Sequence, residues 1–211
     1  MTFGFGRILV AALMLAGAAN AALACQGSKV LFEDKFDSAD PTWGPESDKF
    51  KITGGQVVLR PPGGEYYWSW NTGFLFEDAD ICYSATMLDK PEDPSLSFGG
   101  VMFWVADNEN FYTFITASNG YFKVGRRLSG NWVTDPIGWT VSPSLKQGPG
   151  QANAVRVKLE GNQVTAEING TKAVTFKAQP PDRPSAIGVL SGSGPEPGSW
   201  AFSGLKVTGV K

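Results

Sequence analysis

Aromatic side chains are the residues of this sequence best suited to chemistry. Indole and phenol rings stack on the apolar faces of sugars, while nearby amide and guanidinium groups bond to sugar hydroxyls. These residue types are concentrated in residues 66–71, after a Pro/Gly loop, and the five large or polar residues 66–70 cannot all point inward. We therefore predict a carbohydrate-binding site with these candidates: Tyr67, Trp68, Trp70, Asn71, Trp104, Tyr112, Arg126 and Trp132.

Because side chains alternate along a strand, we can predict which face some of these candidates occupy. If Phe103 and Val105 face the core, Trp104 between them faces outward. Packing in the core is the competing interpretation for Trp104, as it is for Tyr112. Arg126 and Arg127 are consecutive, so on a strand they point to opposite faces and only one of them can reach a given site.

The absence of histidine from the sequence removes many enzyme chemistries. Ser-His-Asp and Cys-His catalysis and His-ligated zinc are excluded. Glycan binding without catalysis is therefore the leading hypothesis. A glycoside hydrolase or lyase is the alternative, with Glu77, Asp80, Glu109 or Asp135 as acid and base, and it requires a carboxyl pair about 5 to 9.5 Å apart. The third hypothesis is a structural or protein-binding envelope module, which would have a flat surface without a groove.

The charged residues indicate few other partners. The chain has 18 Lys and Arg against 20 Asp and Glu, a net charge of −2, and no long basic run, so nucleic-acid binding is not predicted. Asp34 and Asp37 are weak candidates for a structural calcium site, since calcium prefers oxygen ligands. No other cofactor is predicted, and the sequence leaves the oligomeric state open.

Residues 1–24 have the pattern of a secretory signal peptide. Arg7 precedes the apolar residues 8–19, and small-residue cleavage patterns end at Ala21 and Ala24. The apolar run is shorter than a membrane-spanning helix requires, so no transmembrane segment is predicted. We expect a secreted or periplasmic protein whose mature region, residues 25–211, forms one domain.

The two cysteines predict a disulfide. An exported chain favours oxidised thiols, so we expect Cys25 to bond to Cys82. This requires the strand beginning at Val30 to run beside the strand at residues 81–88 or around its end. Lipid attachment at Cys25 is the alternative, but the preceding residues 22–24 favour an ordinary signal peptidase.

The secondary-structure elements that position these residues are predicted to be β-strands. The 211 residues include 26 Gly and 14 Pro, and short apolar runs alternate with turn dipeptides, which is typical of antiparallel sheets. Thirteen candidate strands lie between residues 30 and 207, including one at residues 73–76. Two-residue turns separate several of them: Gly54-Gly55, Asn119-Gly120, Gly161-Asn162 and Asn169-Gly170. The predicted fold is an all-β, two-sheet antiparallel sandwich.

Several strand motifs resemble those of concanavalin-A-like jelly rolls. They occupy residues 98–104, 110–114, 121–127, 130–132, 153–157, 168–170 and 200–207. The nearest likeness is to the bacterial 3-keto-disaccharide hydrolase or family-16-like glycoside hydrolase (LamG-like) group. This resemblance implies a jelly roll acting on or binding sugars. The sequence departs from the family by lacking both its Glu-x-Asp-x-(x)-Glu catalytic strand and the histidine expected for keto-sugar chemistry, which counts against catalysis.

Overall fold

The computed structural model describes residues 25–89, 92–93 and 97–210. The predicted signal peptide lies outside the described residues. Within them the chain forms fifteen β-strands and one 3-10 helix. In chain order these are β1 (Val30–Asp34), the helix (Pro41–Trp43), β2 (Phe50–Thr53), β3 (Gln56–Leu59), β4 (Tyr66–Trp70), β5 (Ala79–Met87), β6 (Phe98–Val105), β7 (Phe111–Ala117), β8 (Tyr121–Leu128), β9 (Asn131–Trp132), β10 (Ile137–Val141), β11 (Ala152–Glu160), β12 (Gln163–Ile168), β13 (Thr171–Lys177), β14 (Ala186–Gly192) and β15 (Trp200–Thr208).

Two antiparallel sheets stack into a sandwich, which confirms the predicted all-β fold. Sheet A has the order β13-β12-β11-β5-β15-β3-β2, with β1 also paired to β15. Sheet B has the order β10-β8-β7-β6-β14-β4, with β9 paired to β8. None of the described helices is long and apolar enough to cross a membrane.

The predicted tight turns join neighbouring strands. In the hairpin between β12 and β13, Asn169 and Gly170 have φ angles of 49° and 82°, the left-handed values that a two-residue turn requires. The strand predicted at residues 73–76 is wrong. Those residues form a loop with one bridge, between Phe76 and Ser185, and the edge of sheet B is instead formed by β4, which pairs with β14.

Apolar residues cover both faces of sheet B. The main core lies between the sheets and includes Phe103, Phe114 and Phe202. A second buried cluster lies on the other face of sheet B: Phe98, Met102, Val105, Phe111, Ile115, Ala117, Ala186 and Leu190. The outer face of an antiparallel sheet is commonly polar, so this second cluster marks the face on which a function should be sought.

A bulge at Trp104 breaks the predicted alternation. Trp104 has a φ of 50°, and the ladder between β6 and β14 shifts register beside it. Phe103 and Trp104 therefore both join the main core, and Val105 joins the outer cluster. The expectation that Trp104 faces outward was wrong, because one extra residue in a strand reverses the facing of those that follow.

The predicted disulfide is present. Cys25 is bonded to Cys82 with their Cα atoms 5.6 Å apart. Strand β1 does not lie beside β5, because β15 separates them. The segment before β1 instead crosses the end of β15, where Gly27 packs tightly against Gly209.

Candidate functional site

Strand β4 places alternate side chains on opposite faces of sheet B. Trp68 and Trp70 pack partly buried against the outer cluster. Tyr67 packs against the main core instead, and the Ser69 hydroxyl donates to the backbone oxygen of Trp43. Of the predicted candidates on this strand, Trp68 and Trp70 lie on the outer face, while Tyr67 lies on the inner one.

Six aromatic rings form a continuous chain across the outer face of sheet B. Successive ring centroids are 5.4–5.8 Å apart, within the range of favourable aromatic pairs. We call this surface, together with Arg127, the aromatic face; in order its rings are Trp139, Phe98, Tyr66, Trp132, Phe111 and Trp68. Three of these rings are substantially exposed: Tyr66 by 44%, Trp139 by 44% and Trp132 by 37%.

Arg127 lies between two of these rings. Its guanidinium carbon is 5.3 Å from the ring centroid of Trp68 and 5.8 Å from that of Trp132. The tight turn between β8 and β9 produces this arrangement, because it pairs Arg127 directly with Trp132. Cation–π attraction and the flat guanidinium favour such stacking.

Polar groups fix the rings at both ends of the aromatic face. The Trp68 Nε1–H donates to Oδ1 of Asn108 at 2.9 Å. At the other end, the Lys123 ammonium lies 5.5 Å from the ring centroid of Trp139 and 3.2 Å from the Asp135 carboxylate. Partial burial and the negative charge of Asp135 raise the pKa of the Tyr66 phenol. Tyr66, Lys123 and Asp135 therefore form one electrostatic group.

Two glycines allow the rings to lie flat against sheet B. A Cβ atom on Gly192 would come within 2.3 Å of the Phe98 ring. A Cβ atom on Gly125 would lie 2.8 Å from Oγ1 of Thr113 and 3.4 Å from the Trp132 ring. The contacts with the Phe98 ring and with Thr113 are closer than ordinary packing permits, so Gly192 is required for the placement of the Phe98 ring and Gly125 for the approach of Thr113, while the Trp132 ring would be in ordinary contact.

Three other predicted residues line a cavity at one end of the sandwich, and Phe111 and Arg127 of the aromatic face border the same cavity. The cavity has a volume of about 620 Å³, and its lining includes Trp104, Tyr112 and Arg126. Arg126 stacks on Tyr112, with its guanidinium carbon 5.0 Å from the ring centroid, and donates to Oε1 of Gln179 at 3.1 Å. Trp104 and Tyr112 are only 4% and 5% exposed. The structure thus divides the predicted set between two places.

The two arginines point to opposite faces of β8, as expected. Arg127 contacts the rings of Trp68 and Trp132 on the aromatic face, whereas Arg126 contacts the ring of Tyr112, and both arginines border the end cavity. The sequence analysis selected Arg126, so it missed the arginine that meets Trp68 and Trp132. The available signal was the two-residue turn Ser129-Gly130, which places Arg127 opposite Trp132 across a hairpin.

Asn71 is buried and hydrogen-bonded within the protein. It is fully buried, its Nδ2 donates to Oγ1 of Thr42 at 2.8 Å, and its Oδ1 accepts from the backbone N–H of Gly73 at 2.9 Å. A ligand cannot reach a side chain so enclosed. Asn71 therefore holds the residues after β4 against the 3-10 helix and lies apart from the aromatic face.

Asp34 is similarly occupied by protein donors. One of its oxygens accepts from the backbone N–H of Phe36 and the other from Nε1 of Trp43, at 2.7 and 2.9 Å. A calcium ion at Asp34 and Asp37 would have to compete with these bonds. Among the described residues, the one close cluster of metal-ligating types comprises Cys25, Asp80 and Cys82, and its two cysteines are joined in the disulfide.

Three of the four carboxylates proposed for catalysis lie in different parts of the structure, and the fourth, Glu109, lies beside Gly130 in the turn after β8. Asp80 is 1% exposed on the outer face of sheet A, where Arg156 binds both of its oxygens at 2.7 and 3.0 Å. Asp135 lies at the aromatic face on sheet B, and Glu77 lines a different cavity. Asp80 is therefore unable to act as an accessible acid or base.

Comparison with known proteins identifies the fold. No family model matches the sequence, and no curated protein matches it. The carbohydrate-binding module CBM66 from Bacillus subtilis is 11% identical, with a TM-score of 0.56 over 72% of this chain and 86% of that one. A Bacillus licheniformis beta-glucanase is 10% identical, with a TM-score of 0.55 over 84% and 97% of the two chains. The Emp46p carbohydrate recognition domain is 12% identical, with a TM-score of 0.62 over 84% and 96%. The chain has the concanavalin-A-like jelly-roll fold that the sequence motifs predicted.

Proposed function

We propose that this protein binds a glycan on the aromatic face of sheet B and does so outside the cytoplasm, as a secreted or periplasmic protein. The observation that carries the proposal is the chain of six rings with exposed members at Tyr66, Trp132 and Trp139. Soluble proteins rarely expose a contiguous apolar patch without a partner. Flat rings with polar groups between them suit the apolar faces and hydroxyls of sugars.

The nature of the fold relatives supports a sugar as the partner. Two of the structures compared above are described as a carbohydrate-binding module and a carbohydrate recognition domain, and the third as a beta-glucanase. The burial of Asp80 in an ion pair favours binding over hydrolysis. The disulfide and the signal-peptide pattern of residues 1–24 support export, since disulfides persist in oxidising compartments.

Affinity electrophoresis of the protein in gels containing individual polysaccharides tests the proposal. We expect retardation by at least one polysaccharide. We also expect Trp132→Ala to raise the dissociation constant at least about tenfold, a loss of about 1.4 kcal/mol in binding free energy. Phe74→Ala is the matched control, because Phe74 is also 44% exposed but lies in the loop after β4. Retardation by no polysaccharide, or retardation equal in Trp132→Ala and the unaltered chain, would contradict glycan binding at this face.

A further inference from the structure

We infer that the glycan bound by the aromatic face carries an anionic group, a carboxylate or a sulfate, and that Arg127 receives it. The inference rests on the proposed function, because it concerns the same surface. Trp68 and Trp132 flank the Arg127 guanidinium. The side chain is also partly exposed, so a ligand lying across these rings comes into contact with it.

Arg127 has hydrogen-bond donors that the protein does not use. A guanidinium group carries five N–H donors around its edge, and the rings of Trp68 and Trp132 supply them with no oxygen acceptor. Nε of Arg127 is buried without an acceptor, and the side chain forms no ion pair with any described carboxylate. The protein therefore leaves this guanidinium unpaired, and a ligand acceptor would bond to the N–H groups on the exposed part of its edge.

The other enclosed arginines do have partners. Arg156 pairs with Asp80 and Glu167, and Arg126 donates to Gln179. The unpaired state of Arg127 is therefore specific to its place on the aromatic face.

The charges around the aromatic face leave Arg127 uncompensated. The other cation, Lys123, is paired with Asp135. The turn between β6 and β7 contains Asp107, but its carboxylate accepts from the backbone N–H of Glu109 and from Nδ2 of Asn110. These bonds, with the Glu109 N–H bond as the largest cause, lower the pKa of Asp107. Asp107 therefore keeps its negative charge near this face, but neither it nor any other described carboxylate forms an ion pair with Arg127.

The geometry of a guanidinium edge favours an oxyanion over a neutral hydroxyl. A carboxylate or sulfate group can accept two parallel N–H bonds in the guanidinium plane, and charge-assisted bonds are stronger than neutral ones. A sugar hydroxyl accepts without charge and lacks the paired oxygens. The ligand class that fits is an acidic glycan, one that contains uronic acids, sialic acids or sulfated sugars.

A glycan array with matched pairs tests the inference. Each uronic-acid glycan is printed beside its carboxyl-reduced form, and each sulfated glycan beside its desulfated form, so that the two sources of negative charge are separated. For the unaltered chain, we expect the acidic member of at least one pair to bind about tenfold or more tightly than the neutral member. We also expect that advantage to shrink as salt is added, because salt screens exposed charges.

Variants locate the effect at Arg127. We expect Arg127→Met to abolish the preference for the acidic member and Arg127→Lys to retain part of it, because lysine keeps the charge but loses the planar fork. Lys51→Met is the charge-matched control, since Lys51 is exposed on β2 of sheet A. Thermal melting of each variant confirms that it folds, and the comparison of acidic and neutral glycans on the unaltered chain does not depend on any variant.

Two contrary outcomes have different meanings. If neutral and acidic members bind equally and Trp132→Ala weakens both, the anionic ligand is refuted while glycan binding stands. If no glycan binds, or Trp132→Ala changes nothing, the proposed function fails and this inference fails with it.

Discussion

Removing the disulfide between Cys25 and Cys82 should cost the protein much of its stability. The bond fixes the N-terminal segment over a buried ion pair on the outer face of sheet A. The backbone N–H of Gln26 donates to Oδ2 of Asp80 at 2.9 Å, and Asp80 and Arg156 beneath it are 1% and 5% exposed. Burial opposes the charge on Arg156, but its bonds to Asp80 and Glu167 outweigh that effect and raise its pKa.

The sequence separation sets the size of the effect. The two cysteines are 57 residues apart, and in the chain-entropy model a loop of that length corresponds to about 4 kcal/mol of stabilisation. A domain of this size loses about 2 to 4 °C in melting temperature for each kcal/mol. The double variant Cys25→Ala/Cys82→Ala should therefore melt about 8 to 16 °C lower than the oxidised protein.

Urea denaturation followed by tryptophan fluorescence measures the loss. The unaltered chain is unfolded with and without a reductant, and the double variant serves as the control because a reductant should not change its unfolding. A difference of less than about 1 kcal/mol between the oxidised and reduced chains would refute the reasoning, since it would place the effect far below the loop-closure value.

The same disulfide should couple to the ion pair beneath it. Breaking a buried ion pair typically costs about 3 to 5 kcal/mol, because one charge is left buried alone. Asp80→Asn should show a cost of this size in the oxidised chain and a smaller one in the double cysteine variant, where Arg156 is opened to water. Costs that agree within about 0.5 kcal/mol in the two backgrounds would show that the segment does not shield the pair.

Two further predictions concern residues of sheet B. The raised pKa of Tyr66 means that the folded state holds the phenol proton more firmly than the unfolded chain does. The protonated phenol therefore stabilises the folded state, fully below about pH 10, and this contribution is lost as the pH rises through the pKa of the folded state. Titration of phenolate absorbance, with Tyr66→Phe to assign the signal, should show a pKa that Asp135→Asn lowers, and an unchanged pKa in Asp135→Asn would contradict the grouping of these residues. Asn71→Ala should lower the free energy of unfolding by about 1 to 3 kcal/mol through lost buried hydrogen bonds. It should leave glycan affinity unchanged in the affinity gel, and a loss of affinity in a variant that melts normally would restore Asn71 to the binding site.

Local signals in the sequence were sufficient for most strands and the tight turns between them, although the strand predicted at residues 73–76 is a loop. Asn169 and Gly170 accept positive φ, and the apolar runs on either side have the period of strands, so the β12–β13 hairpin follows from residues close in sequence. The disulfide also followed from few facts, because a chain with two cysteines leaves one internal pairing.

The site required information that local patterns do not contain. The period-two argument failed at Trp104 because a bulge inserted one residue, and no glycine marks that position. The choice between Arg126 and Arg127 depended on which face of β8 meets sheet A, which is decided by contacts between segments distant in sequence. The burial of Asn71 could not be predicted for a similar reason, since its partner Thr42 lies 29 residues earlier.

The rings of the aromatic face differ in how far they are buried. Trp68 covers the outer cluster and is partly buried against it, so its loss would expose apolar surface whether or not the ring contacts a ligand. Trp132 is 37% exposed on the two-residue strand β9 at the side of sheet B, so much of its ring surface remains open to solvent. A surface that served only to seal the outer cluster would not require Trp132 and Trp139 to leave so much ring area in water, and this excess exposure is the reason to regard the aromatic face as a surface for a ligand.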